Sequence, residues 1–378
     1  MNKLNELIHK YFPNGVEYKK IKDVFHRLRG TPITAGKMKE IESSDGEIRV
    51  FAGGKTVINA KEEDIPNANI IRVPAVLVQS RGVIDVVYYE KPFTFKNEMW
   101  AYTSDNKIAV KFLYYVLKNN IQKFRDAASG MGSLPQISLS ITEEFEVPVP
   151  PLPVQSEIVR ILDNFTELTA ELTAELTARK KQYEYYRDSL YKVDNAEITW
   201  TTLDKISVNC DRQRKPITKG NRVAGKYPYY GASGIVDYVE DYIFDGDYLL
   251  VSEDGANLLA RSTPIAFSIS GKNWVNNHAH VLKFDTYELR RYVEIYLNSI
   301  DLSKYISGGA QPKLNQENLN KIPIPVPSPE RVKYVVSILD RFDTLCHDIS
   351  EGLPAEIEAR QKQYEYYRDK LLSFKEKE

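Results

Sequence analysis

Gln182-Tyr183-Glu184-Tyr185-Tyr186-Arg187-Asp188 returns unchanged as Gln363-Tyr364-Glu365-Tyr366-Tyr367-Arg368-Asp369. Chance does not place the same seven residues twice in a chain of 378, so the sequence is read first as an internal repeat. Upstream, Ala178-Arg179 matches Ala359-Arg360, and Ile161-Leu162-Asp163 before Phe165 matches Ile338-Leu339-Asp340 before Phe342. Further out, Val147-Pro148-Val149-Pro150 matches Ile324-Pro325-Val326-Pro327, with four more residues between prolines and tyrosines in the second copy. The match extends faintly into the preceding segments. Ser129-Gly130 with Pro135 and Ile137 answers Ser307-Gly308 with Pro312 and Leu314, and Pro32-Ile33-Thr34 answers Pro216-Ile217-Thr218.

Each half is therefore a variable segment, a prolyl linker and a helix. The expected division is an N-terminal segment 1–15, a domain 16–146, a linker and central helix 147–195, a second domain 196–322, and a linker and C-terminal helix 323–378. Pro148, Pro150, Pro151 and Pro153, and Pro323, Pro325, Pro327 and Pro329, cannot continue a helix or a central strand and are expected as stiff, extended hinges.

From Glu157 to about Lys192 there is neither Pro nor Gly, and Ile158, Ile161, Phe165, Leu168, Leu172 and Leu176 recur at steps of three and four. That periodicity predicts one long helix with an apolar stripe. Its three Glu-Leu-Thr-Ala units over 167–178 give an eleven-residue period, which favours a nearly straight helix. A second helix is expected from Glu330, carrying Val332, Val335, Leu339, Phe342, Cys346 and Ile349, interrupted at Gly352-Leu353-Pro354 and resuming through Ile357, Tyr364, Tyr367 and Leu371. Neither helix can bury its stripe alone, so an antiparallel pair is expected, with Tyr183, Tyr186, Tyr364 and Tyr367 as packing residues. The fold class is α+β: two mixed α/β domains separated by two long, antiparallel, coiled-coil-like helices, with an internal pseudo-twofold repeat.

The variable segments show short strands such as 75–78 and 248–251, with helices expected over 110–124 and 289–299. Their polar loops offer side chains suited to base edges: Arg and Lys to guanine, Asn and Gln to adenine, carboxylates to cytosine. In the first domain these are Gln79, Ser80 and Arg81, Lys96 and Asn97, and Ser129, Gly130 and Ser133 with Gln136. In the second they are Ser252, Glu253 and Asp254, Lys272 and Asn273, Asn276, Asn277 and His278, and Gly308 and Gly309 with Gln311 and Lys313. Basic residues at matching places, Arg27, Arg29, Lys37 and Lys39 against Arg212, Arg214, Lys215, Lys219 and Arg222, are the phosphate-contact candidates. Tyr227 to Gly234 reads as a strand and turn rather than a stacking platform.

Composition sets outer bounds. The chain is 42% hydrophobic and 27% charged with net charge −1, as expected of a globular protein with two cores. No stretch approaches the length and apolarity of a membrane span, and the first residues lack an apolar signal core, so a cytoplasmic location is expected. Cys210 and Cys346 read as core thiols rather than a disulfide or metal pair. Catalytic constellations are wanting. Gly53-Gly54-Lys55-Thr56 lacks the first glycine of a phosphate-binding loop, Arg49 standing there; Glu17-Tyr18-Lys19 has no upstream aspartate to complete a nuclease site; His278 and His280 have no third metal ligand nearby in sequence. No Asn-Pro-Pro-Tyr string occurs. The residues leave open a DNA reader or a two-domain adaptor for a ligand other than DNA, and disfavour a self-sufficient methyltransferase or nuclease.

Two variable segments, each followed by a PxP linker, an Ile-Leu-Asp helix start and an ARxKQYEYYRD helix end, resemble the specificity subunits of type I restriction-modification enzymes over essentially the whole chain. The resemblance implies that each variable segment is a target-recognition domain for one half of a split double-stranded DNA sequence. The helices would act as spacer and docking surface for two methyltransferase subunits, with restriction subunits joining the full complex. Phe165, Leu168, Leu172, Leu176, Tyr183, Tyr186, Phe342, Ile357, Tyr364 and Tyr367 are the corresponding helix positions. S-adenosylmethionine, magnesium and ATP would belong to those partners, with no cofactor and no catalytic residue in this chain. The ELTA tract lies in one helix and Gly352-Leu353-Pro354 in the other, so the two spacer helices are not equivalent.

Overall fold

The computed structural model describes residues 6, 10, 14–54, 56–129, 134–192, 198–309 and 311–377. The chain forms two compact units, one of residues 1–173 with 357–378 and one of 174–356. Each joins a variable segment to the start of the helix that follows it and to the end of the other copy's helix.

In the first unit the strands are β1 (Tyr18–Lys20), β2 (His26–Leu28), β3 (Ile48–Phe51), β4 (Val57–Ala60), β5 (Ala75–Gln79), β6 (Asp85–Tyr89), β7 (Phe93–Phe95), β8 (Trp100–Thr103) and β9 (Glu146–Pro148). They form an antiparallel sheet in the order β2-β8-β5-β6, a smaller sheet β4-β3-β7 and the ribbon β1-β9. Three helices matter here: α1 (Ala35–Ile41), α2 (Lys107–Asn119) and the beginning of α3 (Leu152–Tyr191). Every residue of β5 is buried, because its two faces meet different neighbours. Val76 and Val78 pack with Val110, Leu113 and Leu117 of α2 and with Val154, Ile158 and Leu162 of α3. Ala75 and Leu77 face Phe93, Phe95 and Met99.

The second unit repeats this plan. Its strands are β10 (Thr199–Thr202), β11 (Val208–Asn209), β12 (Ala224–Gly231), β13 (Gly234–Val239), β14 (Phe244–Asp245), β15 (Tyr248–Ser252), β16 (Ala266–Ile269), β17 (Lys272–Val275), β18 (Ala279–Lys283) and β19 (Pro323–Val326). The sheets run β11-β18-β15-β16 and β13-β12-β17-β14, with the ribbon β10-β19. Leu249 and Val251 of β15 lie against Val293 and Leu297 of α4 (Tyr287–Ser299), while Leu250 faces Phe244, Val275 and Val281. The helices α5 (Pro329–His347) and α6 (Leu353–Leu371) follow.

The prolines are not free hinges. Pro148 closes β9 against β1, and Pro323 and Pro325 lie in β19 against β10. Two-stranded ribbons leave one edge unpaired, so a missing N–H costs nothing there. Pro153 sits in the first turn of α3 and Pro329 opens α5, where the helix has no amide bond to lose. Both helices therefore begin earlier than their apolar stripes. The break between α5 and α6 falls where expected: a Cβ on Gly352 would stand 2.4 Å from the Thr344 carbonyl oxygen.

Within the second unit α3 and α5 run antiparallel, since Tyr183 meets His347 and, one turn on, Tyr186 meets Phe342 at 5.4 Å between ring centroids. Burial pushes the Tyr183 phenol up to about 12. In the first unit the corresponding residues of the opposite copies meet, Phe165 stacking on Tyr367 at 5.5 Å. Each variable segment is also pinned to its helix by the aspartate of Ile-Leu-Asp. Asp163 accepts from the Tyr115 hydroxyl (2.5 Å) and pairs with Lys111 (2.8 Å); Asp340 accepts from the Tyr287 hydroxyl (2.6 Å) and from Arg291 Nε (2.7 Å). Cys210 and Cys346 are free and buried.

Candidate nucleic-acid interface

Past the sheet ends the same backbone bonds recur in each unit, joining residues 80–82 to 129 and 135–137 in the first and residues 253–255 to 307 and 312–314 in the second. In the first, Gly82 N donates to Pro135 O (2.8 Å), Ile137 N to Ser80 O (2.9 Å) and Ser129 N to Gln136 O (3.0 Å). In the second, Gly255 N donates to Pro312 O (3.1 Å), Leu314 N to Glu253 O (2.8 Å) and Ser307 N to Lys313 O (2.8 Å). Isolated β-bridges join Arg81 to Gln136 and Ser129 to Gln136, and likewise Asp254 to Lys313 and Ser307 to Lys313. Arg81, Gln136 and Ser129 thus correspond to Asp254, Lys313 and Ser307. Gly82 and Gly255, at one place in the two copies, both hold the left-handed backbone (φ 79° and 108°) that turns the chain after β5 and β15.

What the two clusters display differs. In the first unit Arg81 and Gln136 are exposed, and their side chains have no hydrogen bond or ion pair among the described residues. Residues opposed across an antiparallel bridge point to the same face with Cβ atoms roughly 5 Å apart. Beside them Asn97 is exposed, Lys96 is paired with Glu98 (2.9 Å), and Arg27 with Glu143 (3.2 Å). Arg27, Arg29 and Asn97 line one cleft of about 540 Å³ with Trp100. Lys37 and Lys39 lie on α1, Lys37 paired with Glu40 at 3.3 Å.

In the second unit a charge network lies beneath the loops. His280 Nδ1 is 2.6 Å from Asp211 and its Nε2 2.8 Å from the Leu314 carbonyl oxygen. Arg214 donates to Glu253 (2.7 Å) and to the Ala279 carbonyl (2.8 Å), and Lys313 pairs with Glu253 at 3.2 Å. His278 pairs with Asp254 at 2.8 Å. Burial opposes ionisation at Asp211 and Glu253. Together, His280, the Val281 amide and Arg214 at the first, and Arg214, His280 and Lys313 at the second, outweigh it, so both carboxyls sit below their ordinary values.

Several residues expected to face DNA are spent inside. Gln79 and Ser80 are buried and donate to the carbonyls of Gly54 and Glu98. Ser252 donates to Ala232 O, Asn276 accepts from His278 N, and Asn273 is fully buried on β17 and donates to Gly271 O. A base edge can be read only by a side chain that reaches the groove, so these five are corrected to scaffold residues. Arg214 is absorbed by Glu253, and Arg222 by Asp237 (3.1 Å) and the face of Tyr229 (4.5 Å). Lys272 lies on β17 rather than in a loop, over the Tyr242 ring at 4.6 Å. Arg212, Lys215, Lys219, Asn277, Gly308, Gly309 and Gln311 are exposed. Gly130 and Ser133 lie outside the described residues, as does Lys55. Among the described residues no three His, Cys, Asp or Glu converge as a metal set, and no helix is long and apolar enough to cross a membrane.

Residues 13–179 and 197–359 match the family described as "Type I restriction modification DNA specificity domain", one match per copy of the repeat. The chain belongs to the type I DNA specificity family. It is 36% identical over 295 residues to the EcoR124I/EcoR124II specificity subunit of Escherichia coli, covering 71% of this chain and 72% of that one. It is 33% identical over 246 residues to a putative type I specificity subunit of Mycoplasma pneumoniae, covering 62% and 95%. The crystal structure of the type I restriction-modification S subunit from M. genitalium shares the fold, with a TM-score of 0.65 at 18% identity over 96% of this chain and 98% of that chain. Sequence reasoning about this specificity-family chain missed Glu98, Asp211 and Arg291, whose roles depend on long-range pairing. Asp163 and Asp340 had a signal, since both fall in the repeated Ile-Leu-Asp.

Proposed function

We propose that this chain is the DNA-reading subunit of a type I restriction-modification complex, with the domain of residues 16–146 and that of residues 196–322 each reading one half of a split target. What supports this is a single feature: the same loop scaffold built twice from the same backbone bonds, carrying Arg81 and Gln136 in one copy and Asp254 and Lys313 in the other. Two copies of one frame with different side chains suit a target of two unlike halves. The exposed Arg29, Lys39, Arg212, Lys215 and Lys219 around these clusters supply phosphate contacts, which set register without reading sequence. The chain neither methylates nor cleaves DNA by itself. It docks two methyltransferase subunits and, in the full complex, restriction subunits, and those partners hold the S-adenosylmethionine, magnesium and ATP.

The test is to exchange residues 16–146 for the equivalent segment of a relative, co-express the product with the methyltransferase subunit, and sequence the methylated sites. One half of the methylated sequence should change and the other stay. Both halves changing together would overturn the assignment of one half to each domain, and methylation by the highly purified chain alone would overturn its role as a reader.

A further inference from the structure

The small sheets of the two domains are dressed differently. In the first, α1 lies on the hairpin β3–β4, Met38 and Ile41 packing with Val50, Ile58 and Ala60, and neither strand exposes a large apolar side chain. In the second, the matching Pro-Ile-Thr is followed only by the tight turn Lys219–Asn221, and the hairpin β12–β13 leaves Ile235 47% and Val236 54% exposed. The strand bulges there: Tyr230 opposes Ile235 and Tyr229 opposes Asp237, so Val236 is the extra residue. A bulge re-aims side chains, and this one turns two adjacent aliphatic residues to solvent. They follow the turn Ala232-Ser233, closed by Gly234 in the left-handed backbone (φ 122°).

Exposed aliphatic residues mean little singly, and here their setting decides. The hairpin tip is fastened to the loop cluster of its domain: Ser252 donates to the Ala232 carbonyl, and Asn276 N donates to Tyr230 O (3.1 Å). Its charge is of one sign. Residues 212–236 carry Arg212, Arg214, Lys215, Lys219, Arg222 and Lys226 and no carboxylate. Arg214 and Arg222 are bound within the domain, while Arg212, Lys215, Lys219 and Lys226 are exposed. Glu240 and Asp241 come only beyond the far end of β13. The matching stretch 30–56 of the first domain instead mixes Glu40, Glu42, Asp45 and Glu47 with its cations.

We infer that the ribbon β12–β13 enters the major groove of the second half-target, with Ile235 and Val236 against thymine methyl groups and Lys219 and Lys226 toward the flanking phosphates. The inference rests on the reading above, in which the second domain reads DNA. A major groove about 12 Å wide admits a two-stranded ribbon, and the thymine methyl is the one apolar mark a base pair shows there. Unpaired cations beside an aliphatic tip complement that surface, phosphate on the rim and methyl on the floor. The first domain has α1 on its hairpin and no aliphatic side chain to offer, so unequal surfaces read the two halves.

The test uses the full chain with its methyltransferase subunit. Sequencing of methylated sites supplies the target, and the exchange of residues 16–146 marks the unchanged half as the second. Replacing the thymines of that half by uracil removes the methyl and no hydrogen bond. The wild-type complex should bind the uracil duplex about threefold to tenfold more weakly, the usual worth of burying one or two such groups. The double variant Ile235→Ala, Val236→Ala should bind both duplexes alike, with an unchanged thermal melt because both side chains are exposed. Three results would overturn the ribbon contact and leave the proposed function standing: a second half without an A·T pair, a wild-type complex indifferent to uracil, or a double variant that keeps the full uracil penalty. A double variant that keeps that penalty and sheds the methyltransferase subunit would assign the ribbon to a protein contact instead. A wild-type complex that binds no DNA overturns the proposed function, and the ribbon contact with it.

Discussion

The two loop clusters share a backbone and differ in what lies under it. In the first domain Arg29 stands where the second has Asp211: Leu28 pairs with Ala101 as Cys210 bonds to Val281, and each is followed by the residue in question. Arg29 remains exposed at the rim of the cleft. Asp211 instead turns inward, and with His280, Arg214 and Glu253 fixes the Leu314 carbonyl and the loop behind it. One frame thus supports its loops with backbone bonds, apolar packing and the side-chain bonds of Gln79 and Ser80, and the other adds an ionic layer of Asp211, His280, Arg214 and Glu253. A recognition scaffold can keep its turns while changing the chemistry that stiffens them.

The largest effect should come from breaking that layer. Asp211→Ala takes from the buried His280 the carboxylate it bonds at 2.6 Å, and from the half-buried Arg214 a second partner at 3.4 Å beside Glu253, and should destabilise the second domain by about 2–4 kcal/mol. Arg29→Ala at the matching place should change the first by less than about 0.5 kcal/mol. Hydrogen exchange resolved by segment reads both domains in one experiment. Equal effects in the two domains would dissolve the contrast.

Next in size, Arg81→Ala should relax one position of one half-target, costing about 1–3 kcal/mol of discrimination, and Gln136→Ala should relax a neighbouring position of the same half. Sequencing of methylated sites reports both. Relaxation in both halves, or at positions far apart within one, would show that the bridged pair does not read together.

A smaller contrast should appear in acid. Asp211 and Glu253 ionise below their ordinary 3.8 and 4.5, so the stability they add is present in full above those values and is lost as pH falls through the lower, folded ones. Denaturant midpoints for the second domain should drop on acidification below about pH 4, and His280→Ala should reduce the drop. Smallest of all, Lys37→Ala, which breaks an exposed pair with Glu40, should cost no more than about 0.5 kcal/mol in a thermal melt.

These contrasts mark where the sequence stopped being readable. The repeated heptad, the stripe from Ile158 to Leu176 and the Gly352 break were legible because each is local, set by a period of three to four residues or by one residue without a Cβ. The buried strands around 75–78 and 248–251 were legible for the same reason. The loop clusters were not. Arg81 and Gln136 meet only because a β-bridge joins residues distant in the chain, and nothing local marks Arg214 as bound and Arg212 as exposed. Asn273 shows the difficulty plainly: in a polar stretch it looks like a loop residue, yet strand pairing turns it inward.

The aspartates of Ile-Leu-Asp carry a consequence for inheritance. Asp163 grips Lys111 and Tyr115, and Asp340 grips Tyr287 and Arg291, so each recognition segment is fastened to its helix by a polar lock whose halves lie on either side of the prolines. A recombination crossover at the PxP strand therefore passes the aspartate from one parent and its two partners from the other. Hybrids between relatives that keep a hydroxyl and a cation on the recognition helix inherit a closed lock. Hybrids that lose either inherit a carboxylate without its partner, and should hold the segment on its helix less firmly than either parent.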